Sequence, residues 1–335
     1  MVSQAVVQRP IRLSLALAGT AALTLVSTPF AISPAGAEEA EVAQGTAADL
    51  GVMEVSLKDA VQFNWGFQGQ TQGAGTPNEM GIGGFLPLSV GSNSVFFLDA
   101  LANVNLPDIG NSSSIINTEV AGTTISTSTR LGYRWLNSDR SWMFGVNAGY
   151  DSRPMATGPA DTGVNVSNSQ TVFYQQVAAG VEAVSNTWNF NAYALVPVGD
   201  TEQQLNSVYQ GGTLDTYGLD AGYAITPDLK ASLGYYHQNG DLNTANSSGV
   251  RGRIAYNLTN GLTVGVNYSY DQAFDSRVSG DIKYRFGTNG YGAPSKRSNN
   301  PANTSPVIQA LSTTPANRDV RVQDFFVCAP YPTCI

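Results

Sequence analysis

Past Ser33, no stretch of this 335-residue sequence approaches the roughly 18 apolar residues that a membrane helix needs. A helical membrane protein is therefore excluded. Histidine occurs once, as His237, and cysteine twice, as Cys328 and Cys334. Two Cys without a nearby His make a poor zinc site, and neither a metal nor another cofactor is expected. Charged residues make up only 13%, and the net charge is −8. Nucleic-acid phosphates call for a basic surface, so no nucleic-acid partner is expected. Helical periodicity is nearly absent as well.

What the sequence does have is glycine (35 residues), tyrosine (15) and phenylalanine (13). It also has an export signature. Arg9 and Arg12 precede the apolar run "LSLALAGTAALTLVSTPFAIS", which ends in the small-residue site Ala35-Gly36-Ala37. A basic n-region, an apolar h-region and an Ala-x-Ala site predict a cleaved secretory signal peptide over 1–37. The competing reading, an uncleaved anchor, fits worse because the cleavage site follows directly. Residues 38–59 form an acidic lead-in with a short helical pattern near "ADLGVMEVSLKDA".

Period-two alternation dominates from Ala60 to Phe286 and predicts twelve strands. They are Ala60–Gln70, Glu79–Val90, Ser94–Leu106, Thr123–Leu136, Ser141–Arg153, Thr171–Val184, Thr187–Val198, Thr216–Ile225, Leu229–Asn239, Gly249–Leu258, Leu262–Asp271 and Val278–Phe286. The links alternate in length. After even-numbered strands they are short and rich in turn formers: "GSN", "NSDR", "SN", "TPD", "TNG". After odd-numbered strands they are mostly longer, with "QAFDSR" as the last. Short turns at one end and long loops at the other is the layout of an outer-membrane barrel.

The strand faces agree. One carries Phe63, Trp65 and Phe67, then Trp142, Phe144 and Val146, then Trp188 and Phe190. The other carries Asn64, Gln68, Gly145, Asn147, Asn189 and Asn191. Lipid outside suits the first face and a wet lumen the second. A soluble barrel or sandwich would hold the aromatic face inside and put charges on the water face. Here the polar face is mostly Asn, Ser, Thr, Gln and Gly. In lipid every backbone N–H and C=O must pair, so the sheet closes. The expected fold is all-β: a transmembrane, twelve-stranded, antiparallel up-and-down barrel over 60–286.

The inward register collects Arg130, Arg134, Lys230, Arg251, Arg253, Lys283 and Arg285 with Asp99, Asp151, Glu182, Asp220, Asp271 and Asp281. Two readings stay open: cross-strand ion pairs in a satisfied polar interior, or a pore biased toward anions by its Arg and Lys. Cys328 and Cys334 are either a small disulfide loop, which export permits, or two free thiols.

"RLGYRWLNSDRSWMFGVNAGYD" (Arg130–Asp151), "QQVAAGVEAVSNTWNFNAYALVPVGD" (Gln175–Asp200) and "YGLDAGYAI" (Tyr217–Ile225) resemble segments of the inverse autotransporter β-domain, the barrel of the intimin and invasin family. The resemblance covers roughly 60–286. It implies a twelve-stranded barrel that anchors in outer-membrane lipid and passes a C-terminal passenger through its lumen. This chain departs by having no tandem Ig-like passenger and no LysM segment before the barrel. Residues 287–335 follow the barrel: a linker, then "VIQALSTTPANRDVRVQDFFVCAPYPTCI". Extended at about 3.3 Å per residue, such a tail reaches across a bilayer. It either threads the lumen as a plug or hangs in the periplasm.

The enzyme alternative is an outer-membrane hydrolase with Ser and His on the outer face. The position two residues after His237 is Asn239, so the expected hydroxyl is missing there. The expectation is a non-enzymatic translocator-type barrel, with a passive porin for small polar or anionic solutes as the alternative. Insertion calls for the barrel-assembly machinery. No surface partner is legible.

Overall fold

The computed structural model describes residues 56–110, 112–240, 246–259, 261–287 and 305–327. The leader over 1–37, most of the acidic lead-in and both cysteines lie outside the described residues.

A short helix α1 (Leu57–Ala60) precedes strands β1 (Asn64–Gln70), β2 (Asn78–Val90), β3 (Ser94–Leu106), β4 (Thr118–Val120), β5 (Thr124–Leu136), β6 (Trp142–Ala160), β7 (Thr171–Ser185) and β8 (Trp188–Pro197). Then come β9 (Glu202–Gln204), β10 (Tyr209–Ala224), β11 (Leu229–Gly240), β12 (Ser247–Thr259), β13 (Leu262–Asp271), β14 (Asp275–Phe286), helix α2 (Pro306–Ala310) and β15 (Val322–Phe326). All strands except β4, β9 and β15 follow one another around the sheet in chain order, each antiparallel to the next. β14 pairs back onto β1, with Trp65 opposite Phe286 and Gln70 opposite Asp281, so a twelve-stranded barrel closes.

Closure follows from the pattern of faces. Leu219, Leu233, Ile254, Val266, Val278 and Ile282 point outward and stay exposed, the apolar band that lipid requires. Aromatic rings pack side by side around the short-turn end: Trp142 against Phe144 and Phe190, Trp188 against Phe190 and Tyr223, Trp65 against Phe286. Aromatics near strand ends (Trp135, Trp142, Trp188, Tyr217, Tyr284 and Phe286) suit interfacial girdles by sequence; all but Tyr217 fall at this end, and Tyr217 lies toward the other, opposite His237. The turns there are held locally. In the β5–β6 turn, Ser141 donates its N–H and O–H to Asp139 and holds that carboxyl below its usual range.

Several boundaries differ from expectation. Ala60 belongs to α1, and the first strand begins at Asn64. β6 runs on to Ala160 and β10 starts at Tyr209, because both strands continue past the barrel rim into the loops. There β6 pairs with β4, and β10 with β9 and β15. β14 begins at Asp275, so the last link shrinks to a turn around Phe274 and is not the longer loop its neighbours suggested.

Residues 305–321 lie inside the barrel, and β15 leaves it among the loops. α2 packs at the short-turn end: Val307, Ala310 and Leu311 join Leu57 and Val61 of the lead-in against Phe85, Phe97, Leu136, Met143 and Val184. At the long-loop end β15 pairs with β10, Tyr209 opposite Phe326 and Thr213 opposite Val322. Val320 and Val322 are buried there with Ile115, Val120, Met155, Val172, Tyr174 and Leu205.

Candidate functional site

The lumen is the candidate site. The sequence-predicted residues meet there as pairs, but three pairs reach across an intervening strand. Arg134 on β5 donates from Nε to Glu182 on β7 at 2.7 Å. Between them β6 presents Gly145, opposite Arg134 on one side and Glu182 on the other. A Cβ at 145 would lie 2.5 Å from the Glu182 carboxylate and 3.0 Å from the Arg134 stem. Arg251 on β12 reaches Asp220 on β10 in the same way (Nε to Oδ1, 2.7 Å) over Gly234 of β11. Arg253 pairs with Asp281 on β14 (Nη2 to Oδ1, 2.9 Å), its guanidinium lying over Gly265. Arg130 and Asp151 form the direct neighbour pair, two N–H donors at 2.7 and 2.8 Å. Bidentate pairs of this kind suit the guanidinium fork.

The remaining acids answer the tail. Asp99 accepts from Arg318 at 2.6 Å, and Asp271 accepts from Arg321 at 3.2 Å. Arg321 also stacks over Tyr236 and Phe274, 4.7 and 5.2 Å from the ring centres. The wall's bases hold the tail backbone. Arg134 donates from Nη1 to the carbonyls of Leu311 and Thr313 at 3.1 and 2.6 Å, and Arg130 to Asn317 O at 3.2 Å. Asn64 donates to Ser312 O (3.0 Å) and Arg153 to Val320 O (2.8 Å). Asp324 accepts from the backbone N–H of Asn117 and Thr118 at 2.9 and 2.7 Å.

Lys230, Lys283 and Arg285 stand apart. They face inward, yet among the described residues none has a carboxylate at ion-pair distance; Arg285 donates only to Gly83 O, at 3.3 Å. Sequence reasoning placed all thirteen residues on the inward face. It missed Arg153, Asn317, Arg318, Arg321 and Asp324. Four of those five belong to the tail, whose irregular segment carries no periodicity to read.

Little free volume remains beside the tail on the β6–β8 side. A cavity of about 90 Å³ between Thr313–Asn317 and Asn147, Asn189, Asn191 and Tyr193 has room for a few waters.

His237 is exposed on the outer face, as its register predicts. A hydroxyl does lie near it: Ser248 on β12, directly across from His237, has its Oγ 3.3 Å from Nδ1. The absent hydroxyl at position 239 was thus not the whole picture, because the neighbour comes from the next strand. Tyr235 donates to the same Oγ at 2.6 Å. Among the described residues no carboxylate or amide orients the other ring nitrogen.

No protein-family profile matches the sequence, and no curated protein matches it. Solved structures do. One from work on the in-meso crystallization of membrane proteins superposes with a TM-score of 0.55 at 12% identity, covering 78% of this chain and 99% of its own. Outer membrane phospholipase A from Escherichia coli gives 0.37 at 13% identity, over 67% of this chain and 92% of its own. The KdgM porin gives 0.37 at 7% identity, over 67% and 99%. At these identities the first likeness concerns the fold alone, and the other two carry no inference. Closed topology, apolar belt and sorted loops together make this chain a β-barrel of the outer-membrane type.

Proposed function

We propose that the chain is a translocator-type barrel of the inverse autotransporter kind that carries its own C-terminal segment through its lumen, with residues 1–37 removed on export. One observation carries this reading. The tail enters at the end where β1 begins and β14 stops, and it reaches the opposite end as β15. Short turns lie on the periplasmic side of outer-membrane barrels. The tail therefore runs outward, the direction a C-terminal passenger takes. Between Leu311 and Val322 an extended chain spans roughly 35 Å, more than the apolar band of about 25 Å. The wall is built to hold a chain: Arg130, Arg134, Arg153 and Asn64 bond backbone carbonyls, which any sequence offers. Outer-membrane lipid surrounds the barrel, the barrel-assembly machinery inserts it, and no catalysis is assigned.

The test is whole-cell labelling with a membrane-impermeant maleimide after mild reduction. Cys328, one residue past the described tail, and Cys334 are expected to label on intact cells. Labelling only after the outer membrane is permeabilised overturns the reading.

A passive porin for small polar or anionic solutes is the second reading. The unpaired Lys230, Lys283 and Arg285 favour it. It requires the tail to leave the long-loop end.

A further inference from the structure

The tail fills the lumen unevenly. On β3 every inward residue from Val95 to Asn105 is buried, and so is every one on β5 from Ser126 to Leu136. The opposite wall is different in its short-turn half. Ser232, Arg253, Ala255, Asn257, Thr263 and Arg285 keep partial access to solvent, and Lys230 and Lys283 are exposed. The cause is the packing of the two helices. α1 and α2 seat their apolar residues against β2, β3, β5, β6 and β7, which plugs one half of the mouth and leaves the β11–β14 half open. Toward the long-loop end this open half stops against Leu214, Tyr236, Gln238, Asp271 and Phe274, all buried. It is a blind, wet recess that opens at the short-turn end.

Its charge is one-sided. Asp281 neutralises Arg253. Lys230 and Lys283 have neither an ion pair nor a hydrogen bond among the described residues, and Arg285 has only the Gly83 carbonyl. The tail's Asp319, hydrogen-bonded by Gln70 at 3.5 Å, acts on Lys283 from beyond ion-pair distance. Lys230 shares a row with Ala255, Gly265 and Asp281, and Lys283 a row with Thr263. Three strand spacings of about 4.8 Å therefore separate the two lysines' strands, roughly 14 Å. The floor between them is Ala255, Asn257, Thr263 and Gly265, all short, with no aromatic platform for a base or sugar ring.

We propose that this recess binds a soluble small oligoanion, one carrying two or more phosphate or carboxylate groups, entering from the periplasmic end. Arg285 and Lys283 grip it at one rim and Lys230 at the other. The guanidinium fork matches a planar or tetrahedral oxyanion, and the lysines act as point charges. A single anion cannot meet both rims, so affinity depends on the ligand's valence. The inference does not depend on how the tail came to lie in the lumen, and thiol labelling of the tail would not report on it.

The test is calorimetric titration of the folded full chain in detergent with inorganic tripolyphosphate and with orthophosphate. Tripolyphosphate is expected to bind, at least about tenfold more tightly than orthophosphate, and to weaken as salt rises. Combined Lys230→Gln, Lys283→Gln and Arg285→Gln changes are expected to weaken tripolyphosphate at least about tenfold, a gap of about 1.4 kcal/mol. Folding is checked by the heat-dependent gel shift of the barrel. If the triple variant does not fold, Lys283→Gln alone, which removes an exposed, unpartnered side chain, gives the reading. No binding by the folded wild-type chain, or unchanged affinity in a folded variant, overturns the proposal.

Discussion

Arg318 and Asp99 are 219 positions apart in sequence and meet inside the barrel at 2.6 Å, both almost wholly buried. Breaking one partner of a buried pair leaves an uncompensated charge, which costs about 3–5 kcal/mol. Arg318→Ala is expected to lower stability by that order and to loosen the tail. Adding Asp99→Asn should recover much of the loss, since it removes the stranded charge. Urea unfolding followed by the gel shift measures both variants, and a double variant no more stable than Arg318→Ala would deny the pairing its importance.

The glycines beneath the ion pairs make a second prediction. Gly145→Leu and Gly234→Leu force bulk into space already taken by Glu182 and Arg134, or by Asp220 and Arg251. Overpacking of this kind costs about 1–3 kcal/mol. Gly252 is the control, because a Cβ there meets the Leu233 side chain no closer than 3.6 Å. Gly252→Ala should change stability by less than about 0.5 kcal/mol. Equal losses at all three sites would mean that the ion pairs do not need the gap.

Removal of residues 305–335 tests the plug. Conductance of the purified barrel in planar bilayers is expected to be low for the full chain and to rise on truncation. The truncated barrel should prefer anions, and Lys283→Glu with Arg285→Glu should reduce or reverse that preference. A full chain that already conducts like an open pore would count against the filled lumen and in favour of the porin reading.

Leu233 projects from the middle of β11 and is 75% exposed. In lipid, Leu233→Arg should cost about 2–4 kcal/mol. Ser232→Arg, one residue away but facing the wet recess, should cost far less. Matching penalties would contradict the assignment of the outer face to lipid.

His237→Ala tests whether the His237–Ser248 pair has any catalytic role. Any phospholipid hydrolysis by the purified protein is expected to be unchanged by it. Loss of a measurable activity in this variant and in Ser248→Ala would make the cross-strand pair a catalytic one.

The barrel was legible because a strand's two faces are written two residues apart. Tyr217, Leu219, Leu233 and Tyr235 alternate with Asp220, Ser232 and Tyr236, so register and orientation follow without tertiary information. The extensions of β6 to Ala160 and of β10 back to Tyr209 were not legible. Those residues pair with short strands and with the tail, partners chosen by three-dimensional proximity rather than by alternation. The ion pairs were half legible. The charged residues show in the inward register, but an Arg that bypasses its neighbour to reach the second strand depends on the glycine between, as at Gly145 and Gly234. The tail's path is not legible in "TTPANRDVRVQDFF", because that segment bonds chiefly through its backbone and isolated charges. Ser248 beside His237 was hidden for a simpler reason: a scan along the chain does not look across strands.

The seating of α2 among Leu57, Val61, Phe97 and Met143 also gives the threaded segment a mechanical polarity. A pull toward the long-loop end would have to strip the apolar residues of α2 out of that cluster. A pull toward the short-turn end would have to unzip β15 from β10, lift Val320 and Val322 out of a second apolar cluster and break the Arg318 and Arg321 ion pairs. The segment is moored at both ends, and each direction of load meets a different set of contacts.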